Sequence, residues 1–227
     1  MFNANIKEEN VEPDLEIPRE IAEIRLPDSA VARHAVSLIY RISPPVLQTH
    51  VLRTFVFGAL LGKEQGLKYD EELFFLGAIL HDLGLTEEFR SGDRFEVAGA
   101  DAADLFLENE GVDAERREIV WDAIALHTSV AIVSRKRPEI ALVHLGAGVD
   151  VLGMGLDALP PTLVSETIEA LPRHDFKNAF FATLVETLTA SPQSATMTWL
   201  SETANKHVPR CQCPSFACLL KNAPFRD

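Results

Sequence analysis

The segment FFLGAILHD, residues 74–82, places the strongest constraint on the fold of this chain. Its first seven residues are apolar or glycine, which is typical of a helix that runs into a protein core. The segment then ends on an imidazole and a carboxylate, His81 and Asp82. Such groups are costly in a core unless they are paired or bind a cation. The segment therefore predicts a buried helix whose end carries a functional site.

The remainder of the chain has helical patterns throughout. Capping residues or prolines precede runs with apolar residues three and four positions apart, and no stretch shows the sustained two-residue alternation of strands. The predicted helices cover residues 30–42, 46–66, 70–82, 95–111, 114–129, 139–156, 162–172 and 176–190. We therefore predict an all-α fold with one domain over residues 28–227. The polar and charged residues 1–27 are expected to form a flexible N-terminal arm.

Charge and composition exclude several classes of partner. The chain has 227 residues, 47% of them hydrophobic, which is enough for one domain with a full core. Its formal net charge of −13 would repel a nucleic-acid backbone or an anionic membrane surface. No apolar run reaches the roughly 20 residues of a membrane span. A small-molecule substrate is the expected partner. Self-association through the apolar segment CPSFACLLKNAPF remains open.

The cysteines and the N-terminus favour a cytoplasmic location. Only Cys211, Cys213 and Cys218 occur, and an odd, clustered trio is a poor disulfide framework. The pair Cys211-x-Cys213 lacks the second pair that a structural metal site requires. The acidic, polar N-terminus resembles neither a signal peptide nor a transit peptide. A reducing compartment is therefore expected.

Two histidines and two carboxylates stand inside helices that otherwise have core character. His50 lies mid-helix among apolar residues, His81 and Asp82 end the next helix, and Asp150 lies in the segment GAGVDVLGMG. A carboxylate on an apolar helix indicates pairing or a bound cation. Brought together, the four side chains form a cage of two nitrogen and two oxygen ligands for one divalent metal ion. Such a set suits zinc best, and iron or manganese can also occupy it.

These residues resemble the HD-domain superfamily, metal-dependent enzymes in which a His, a His-Asp doublet and a distant Asp hold the metal. Here the pattern corresponds to His50, His81-Asp82 and Asp150. The segments LFFLGAILHDLGLT, RFEVAGADAA, IALHTS and VHLGAGVDVLGMGLD are further similar to the cyanamide hydratase-like branch. The resemblance covers roughly residues 28–190 and implies a helical bundle with a central metal site.

The resemblance to this branch implies a hydro-lyase. Metal-activated water would add to the C≡N carbon of cyanamide, or of a similar small nitrile, to give urea or an amide. His127 and Glu96 are the candidates for proton donor, and Asp82 would combine ligation with a catalytic role. Phe57 and Phe95 are candidates for the apolar wall of a small substrate pocket. Arg53 and Thr128 complete the predicted substrate-binding set.

Two other activities of the superfamily remain open from the sequence. A phosphohydrolase acting on a nucleotide or another phosphate ester would need cations, and Arg53, Arg90 and Arg94 lie near the motifs. A diiron oxygenase would need extra histidines between the doublet and Asp150. Only His127 and His144 fall in that interval. His144 is expected to be a hydrogen-bonded core residue, because its spacing of six from Asp150 does not place both on one helical face.

Overall fold

The computed structural model describes residues 17–225 and is built almost entirely of helices. Within these residues lie ten α-helices and one two-stranded antiparallel sheet, which confirms the predicted all-α class. The strands are β1 (Glu20–Ile21) and β2 (Ile24–Arg25). The helices are α1 (Ala30–Ile42), α2 (Pro45–Glu64), α3 (Glu71–Leu80), α4 (Phe95–Asn109), α5 (Ala114–Leu126), α6 (Pro138–Leu152), α7 (Pro161–Ala170), α8 (Phe176–Ala190), α9 (Ser201–His207) and α10 (Phe216–Lys221). None of the helices in the described part is both long and apolar enough to cross a membrane.

Local chemistry sets most of the helix ends. The side chains of Ser29, Asp70 and Asp113 accept hydrogen bonds from backbone N–H groups of the first turns of α1, α3 and α5. Prolines occupy the first position of α2, α6 and α7, where a missing N–H costs nothing. Helix α6 ends at Leu152, four residues earlier than predicted, because Gly153 adopts a left-handed conformation with φ of 73°.

The predicted N-terminal arm lies only partly within the described residues. Residues 17–27 contain β1 and β2, and the side chains of Ile21 and Leu26 are buried in the main core. Residues 1–16 lie outside the described part, and the domain boundary at residue 27 stays a prediction. At the opposite end, Phe216, Leu220 and Phe225 are exposed, and self-association through this segment likewise stays a prediction.

Helix α3 runs through the middle of the main core, and each of its residues from Leu73 to Leu80 is buried. Helices α2 and α6 cross at very short range beside it. A methyl group at Gly146 would overlap the carbonyl oxygen of Thr54 on the facing helix. This crossing therefore brings His50 of α2 and Asp150 of α6 to the same place in the core.

A second core lies next to the first and is formed largely by the C-terminal part of the chain. Phe176, Leu184 and Leu188 of α8 pack there against Val46 and Leu47 at the start of α2. Leu200 and Ala204 extend it toward α9. The end of α3 and the start of α2 thus lie between two apolar clusters.

Candidate metal centre

Three side chains converge where α2 meets the end of α3. The ligand atoms of His50, His81 and Asp82 all lie within 4.8 Å of one another. The two Nε2 atoms are 3.3 Å apart, and each is 3.4 Å from Asp82 Oδ2. Zinc with bonds of about 2.0–2.1 Å has ligand atoms about 3.3–3.4 Å apart in a tetrahedron. The three atoms therefore have the spacing of one face of such a tetrahedron.

Hydrogen bonds on the far side of each ring fix the histidine tautomers. His81 Nδ1 donates to the carbonyl of Ala78 at 2.7 Å, and His50 Nδ1 donates to Asp150 Oδ2 at 2.6 Å. Both Nε2 atoms consequently carry lone pairs that point into the cluster. Asp82 Oδ2 is buried and accepts no hydrogen bond from the described residues. Three lone-pair atoms without a donor between them fit a bound cation.

Burial keeps the His81 imidazole of this site neutral near pH 7. His50 and His81 each expose 1% of their surface, Asp82 exposes 3% and the nearby His127 exposes 6%. Burial, with a contribution from His50, lowers the pKa of His81 to about 3. Burial also raises the pKa of Asp82, although His50 and His127 oppose the shift. A neutral imidazole is the form that binds metal, and a buried carboxylate is costly without a cation.

Asp150, the fourth predicted ligand, lies beside this group of three on the Nδ1 side of His50, and its role as a ligand stays a prediction. Its Oδ1 accepts hydrogen bonds from Arg53 Nε at 2.7 Å and from Arg173 Nη1 at 2.5 Å. Its Oδ2 accepts hydrogen bonds from His50 Nδ1 at 2.6 Å and from Arg53 Nη2 at 2.8 Å. Burial alone would raise the pKa of Asp150, but hydrogen bonds from His50 and Arg53 hold it well below its usual value. Asp150 is therefore an ionised residue that contacts the Nδ1 side of the His50 ring.

Arg53, predicted to bind substrate, is fully buried at this point. It donates two hydrogen bonds to Asp150 and two to the carbonyls of Leu171 and Pro172. Most of its five N–H groups are thus engaged within the protein. In this position its main effect is to orient Asp150.

His127 lies on another side of Asp82, at the end of α5. Its Nδ1 donates to the carbonyl of Ile124 at 2.6 Å, and its Nε2 is 4.0 Å from Asp82 Oδ1. Burial and the neighbouring His81 lower the pKa of His127 to about 4, so the ring is neutral near pH 7. Its Nε2 lone pair can therefore accept a proton in the site. His144 donates to the backbone carbonyl of His127 at 2.6 Å, so it is hydrogen-bonded as expected, and it is half-buried.

Glu96 lies in the first turn of α4 and is also buried. Its Oε1 accepts hydrogen bonds from Thr128 at 2.7 Å, Arg94 at 2.9 Å and Trp199 at 3.1 Å. Burial would raise the pKa of Glu96, but the hydrogen bonds from Arg94 and Thr128 outweigh burial and lower it. Glu96 is thus ionised, and Thr128, predicted to bind substrate, is its direct partner.

Glycine makes the approach of α4 to this centre possible. A methyl group at Gly84, two residues after Asp82, would overlap the carbonyl oxygen of Phe95. Gly84 therefore allows the end of α3 to pack closely against the start of α4. The contact places Glu96 next to the His81-Asp82 end of α3.

The two predicted wall residues have different positions. The ring of Phe95 lies 5.7 Å from that of His127, centroid to centroid. Phe57 is buried in the main core, seven residues along α2 from His50, or about 10 Å of helix rise. Phe176 and Phe180 of α8 instead face the metal centre, with ring centroids 5.0 and 5.3 Å from that of His50.

Sequence reasoning missed the residues that close the site. They lie between residues 173 and 200, a segment that we call the cap. They are Arg173, Phe176, Phe180 and Trp199. The spacing of four between Phe176 and Phe180 on a helix was a usable signal for an aromatic face. No local pattern marked Arg173 or Trp199.

The cap and the start of α4 enclose a cavity of about 10 Å³, lined by Phe95, Glu96 and residues of the cap. This volume is about what one water molecule requires. None of His50, His81, Asp82 and His127 lines this cavity, but all four side chains are buried, so the site is enclosed in the described conformation.

The HD domain family matches residues 47–166, which are 120 of the 227 residues. The chain belongs to this family of metal-dependent enzymes, whose members typically are hydrolases that bind divalent metal. The match includes α2 to α6 and ends before the cap. No curated protein matches the chain significantly.

Proposed function

We propose that this protein is a metal-dependent hydratase that adds water to the C≡N carbon of cyanamide or a similar small, uncharged nitrile. The observation that carries the proposal is the enclosure of the metal centre, because its predicted ligands are buried and the rings of Phe176, Phe180 and Phe95 pack against His50 and His127. A linear molecule of a few atoms requires little space and no charged partner. The similarity of the segments around residues 74–156 to the cyanamide hydratase-like branch supports the same class of substrate.

The charges around the centre favour a neutral substrate over a phosphate ester. Arg53 and Arg173 both face Asp150, and Arg94 faces Glu96. Each of these guanidinium groups therefore has a carboxylate partner within the protein. Phosphoryl transfer requires cations directed at phosphoryl oxygens, and these three are engaged elsewhere.

His50, His81 and Asp82 would hold the ion, which supplies a water of lowered pKa and polarises the nitrile. His127 is neutral with a free Nε2, so it can take a proton from the attacking water and return it to the nitrile nitrogen. Glu96 is ionised and is not a proton donor in the resting enzyme. Of the two predicted candidates, we therefore assign proton transfer to His127.

Thr128 is suited to orient the substrate. Its hydroxyl donates to Glu96 at 2.7 Å, so its oxygen lone pairs are available to an N–H donor. The amino group of cyanamide is such a donor. Glu96 would then act through Thr128 by fixing the direction of the hydroxyl.

The mononuclear site also separates this proposal from a diiron oxygenase. Among residues 17–225, His50, His81 and Asp82 form the one group of three or more potential ligands close enough for a shared ion. Glu96 accepts hydrogen bonds from Thr128, Arg94 and Trp199, and His127 is not part of this group. This arrangement supports one metal ion per chain.

The test combines metal analysis with two assays on one preparation. We expect about one zinc per chain and urea as the product from cyanamide, with no urea from the Asp82→Asn variant. Phosphate release from a panel of nucleotides without urea formation would instead establish the phosphohydrolase. Two irons per chain would contradict the mononuclear centre.

A further inference from the structure

Two of the three cysteines lie together outside the metal centre, in the segment that follows α9. The Sγ atoms of Cys211 and Cys213 are 3.6 Å apart, and both residues are free thiols. A disulfide bond is about 2.0 Å long, so a shift of roughly 1.5 Å would bring the two sulfur atoms to bonding distance. Both residues are half-buried, whereas Cys218 on α10 is exposed.

The two thiols are held next to each other by the surrounding structure. Asn205 Oδ1 of α9 accepts a hydrogen bond from the backbone N–H of Cys213 at 2.7 Å, and its Nδ2 donates to the carbonyl of Cys213 at 3.1 Å. The side chains of Cys211 and Cys213 also pack against the second core. Their proximity therefore does not depend on a bond between the two sulfur atoms.

The two cysteines differ in their access to solvent. Cys213 lines an open groove together with Met197, Asn205 and Phe216, and Cys211 does not line this groove. Burial and the hydrogen bond between the two thiols raise the pKa of Cys211. The thiolate is the nucleophilic form of cysteine. Cys213 is therefore the thiol that a small reagent reaches first, and Cys211 is its protonated neighbour.

The pair does not have the ligand set of a metal site. Across the part of the chain that the structure describes, the one group of three or more potential ligands around a shared point is that of His50, His81 and Asp82. Structural zinc sites use four protein ligands, and two thiols supply only half of them. Exchange with a disulfide, by contrast, requires only two neighbouring thiols with access for the reagent.

We propose that Cys211 and Cys213 form a redox-active dithiol, which a low-molecular-weight disulfide converts into an intramolecular disulfide. The Cys213 thiolate attacks one sulfur of the small disulfide, so a mixed disulfide forms and one small thiolate leaves. Cys211 then gives up its proton to solvent and attacks Cys213 Sγ, which releases the second small thiolate. The chain is oxidised by two electrons, and the small disulfide is reduced to two thiols. This inference depends neither on metal binding nor on the proposed hydratase activity.

The first test uses the wild-type protein as purified, so it does not depend on the folding of any variant. The protein is incubated with glutathione disulfide, remaining thiols are alkylated, and mass spectrometry is applied after cleavage at Phe216, which separates Cys218 from the pair. We expect a disulfide between Cys211 and Cys213, with Cys218 outside it. Two free thiols at the pair, separate glutathione adducts on both cysteines, or a disulfide that includes Cys218 would each overturn the proposal.

The second test measures the glutathione released per chain, with Cys218→Ser as the parent protein and control. This variant should release about two glutathione molecules and retain none, because Cys211 resolves the mixed disulfide. Addition of Cys211→Ser should stop the exchange at the mixed disulfide. The double variant should therefore release about one glutathione and retain one on Cys213, a twofold difference. Equal release from the two proteins would contradict a resolving role for Cys211 and overturn the proposal.

Discussion

At the scale of single residues, the orientation of each imidazole in the centre depends on the group that accepts the hydrogen bond from its Nδ1. The Nδ1–H groups of His81 and His127 donate hydrogen bonds to backbone carbonyls one turn earlier in the chain, whereas that of His50 donates to the side chain of Asp150. A backbone carbonyl cannot take up a proton, so the first two tautomers are fixed by the helix itself. The orientation of His50 depends instead on Asp150 and its two arginines.

Replacement of His127 by Gln should separate catalysis from metal binding. The amide keeps a similar size but cannot shuttle a proton, so we expect the rate of urea formation to fall by about 10²- to 10⁴-fold. Zinc content should remain near that of the wild type. His34→Gln, at an exposed histidine paired with Glu110, should leave the rate unchanged. Loss of zinc from the His127 variant would indicate a ligand instead of a proton carrier.

The buried histidines make the metal-free protein sensitive to acid. Burial lowers the folded-state pKa of His81 to about 3 and of His127 to about 4, whereas both rings would titrate near 6.5 in the unfolded chain. The unfolded state therefore binds more protons below pH 6.5. As the pH falls from 6.5 to about 4, each histidine should therefore lower the free energy of unfolding by up to about 1.4 kcal/mol per pH unit. The raised pKa of Asp82 acts in the opposite sense.

Chemical denaturation of the metal-free protein across this pH range measures the effect. His127→Gln should have a shallower dependence on pH, because it removes one of the two titrating rings. An unchanged slope in that variant would show that His127 does not contribute to the pH dependence of the free energy of unfolding.

At the scale of elements, glycines decide how close the helices come. Gly146 lets α6 contact the backbone of α2, and Gly84 lets the end of α3 contact the start of α4. His50 and Asp150 lie on the first pair of helices, and His81, Asp82 and Glu96 lie at the second contact. The spacing of the helix axes therefore sets the spacing of the functional side chains.

Two alanine substitutions on α6 test this point. Gly146→Ala would place a methyl group onto the Thr54 carbonyl, so we expect a loss of stability of about 1–3 kcal/mol and weaker zinc binding. Gly148→Ala is its control on the same helix, because the added methyl would contact only the flexible side chain of Met154, at 3.4 Å. Both variants gain about 1 kcal/mol of helix propensity, so their difference reports the clash. Equal stability and zinc affinity in the two variants would contradict this role of Gly146.

At the scale of the whole molecule, the family's metal-binding helices are enclosed by a cap that the family match does not include. Phe176 and Phe180 cover His50, and Trp199 donates to Glu96 across 103 positions of sequence. The metal ligands come from one part of the chain and the walls of the site from another. If the proposed function holds, we expect the cap to limit the size of the substrate.

Replacement of Phe180 by Ala should enlarge the range of substrates. Removal of the ring opens space beside His50, so we expect kcat/KM for a bulkier nitrile to rise at least tenfold relative to cyanamide. Phe181→Ala is the neighbouring control, because its half-exposed ring contacts His207 at 5.1 Å and does not face the centre. An unchanged preference in the Phe180 variant would contradict the assignment of α8 as the wall.

Much of the fold follows from local signals that tertiary packing does not override. The starts of α1, α3, α5 and α6 lie where capping residues and prolines predict them. Helix ends were less accurate, as at Leu152, because a glycine ends a helix only where its conformation becomes left-handed. The two-residue strands are too short for any alternation to show.

By itself the sequence determined the helical class, because helical periodicity is a local property. The resemblance of its motifs to a family then predicted that His50 meets His81 and Asp82, which lie 31 residues further along the chain. Only the tertiary structure decided which groups contact Asp150, Glu96 and His50 from a distance. Arg173, Phe176 and Trp199 reach the centre through the packing of separate helices, and their side-chain directions depend on that packing. A metal site can thus be located from sequence, whereas its outer contacts and its size depend on how distant segments close over it.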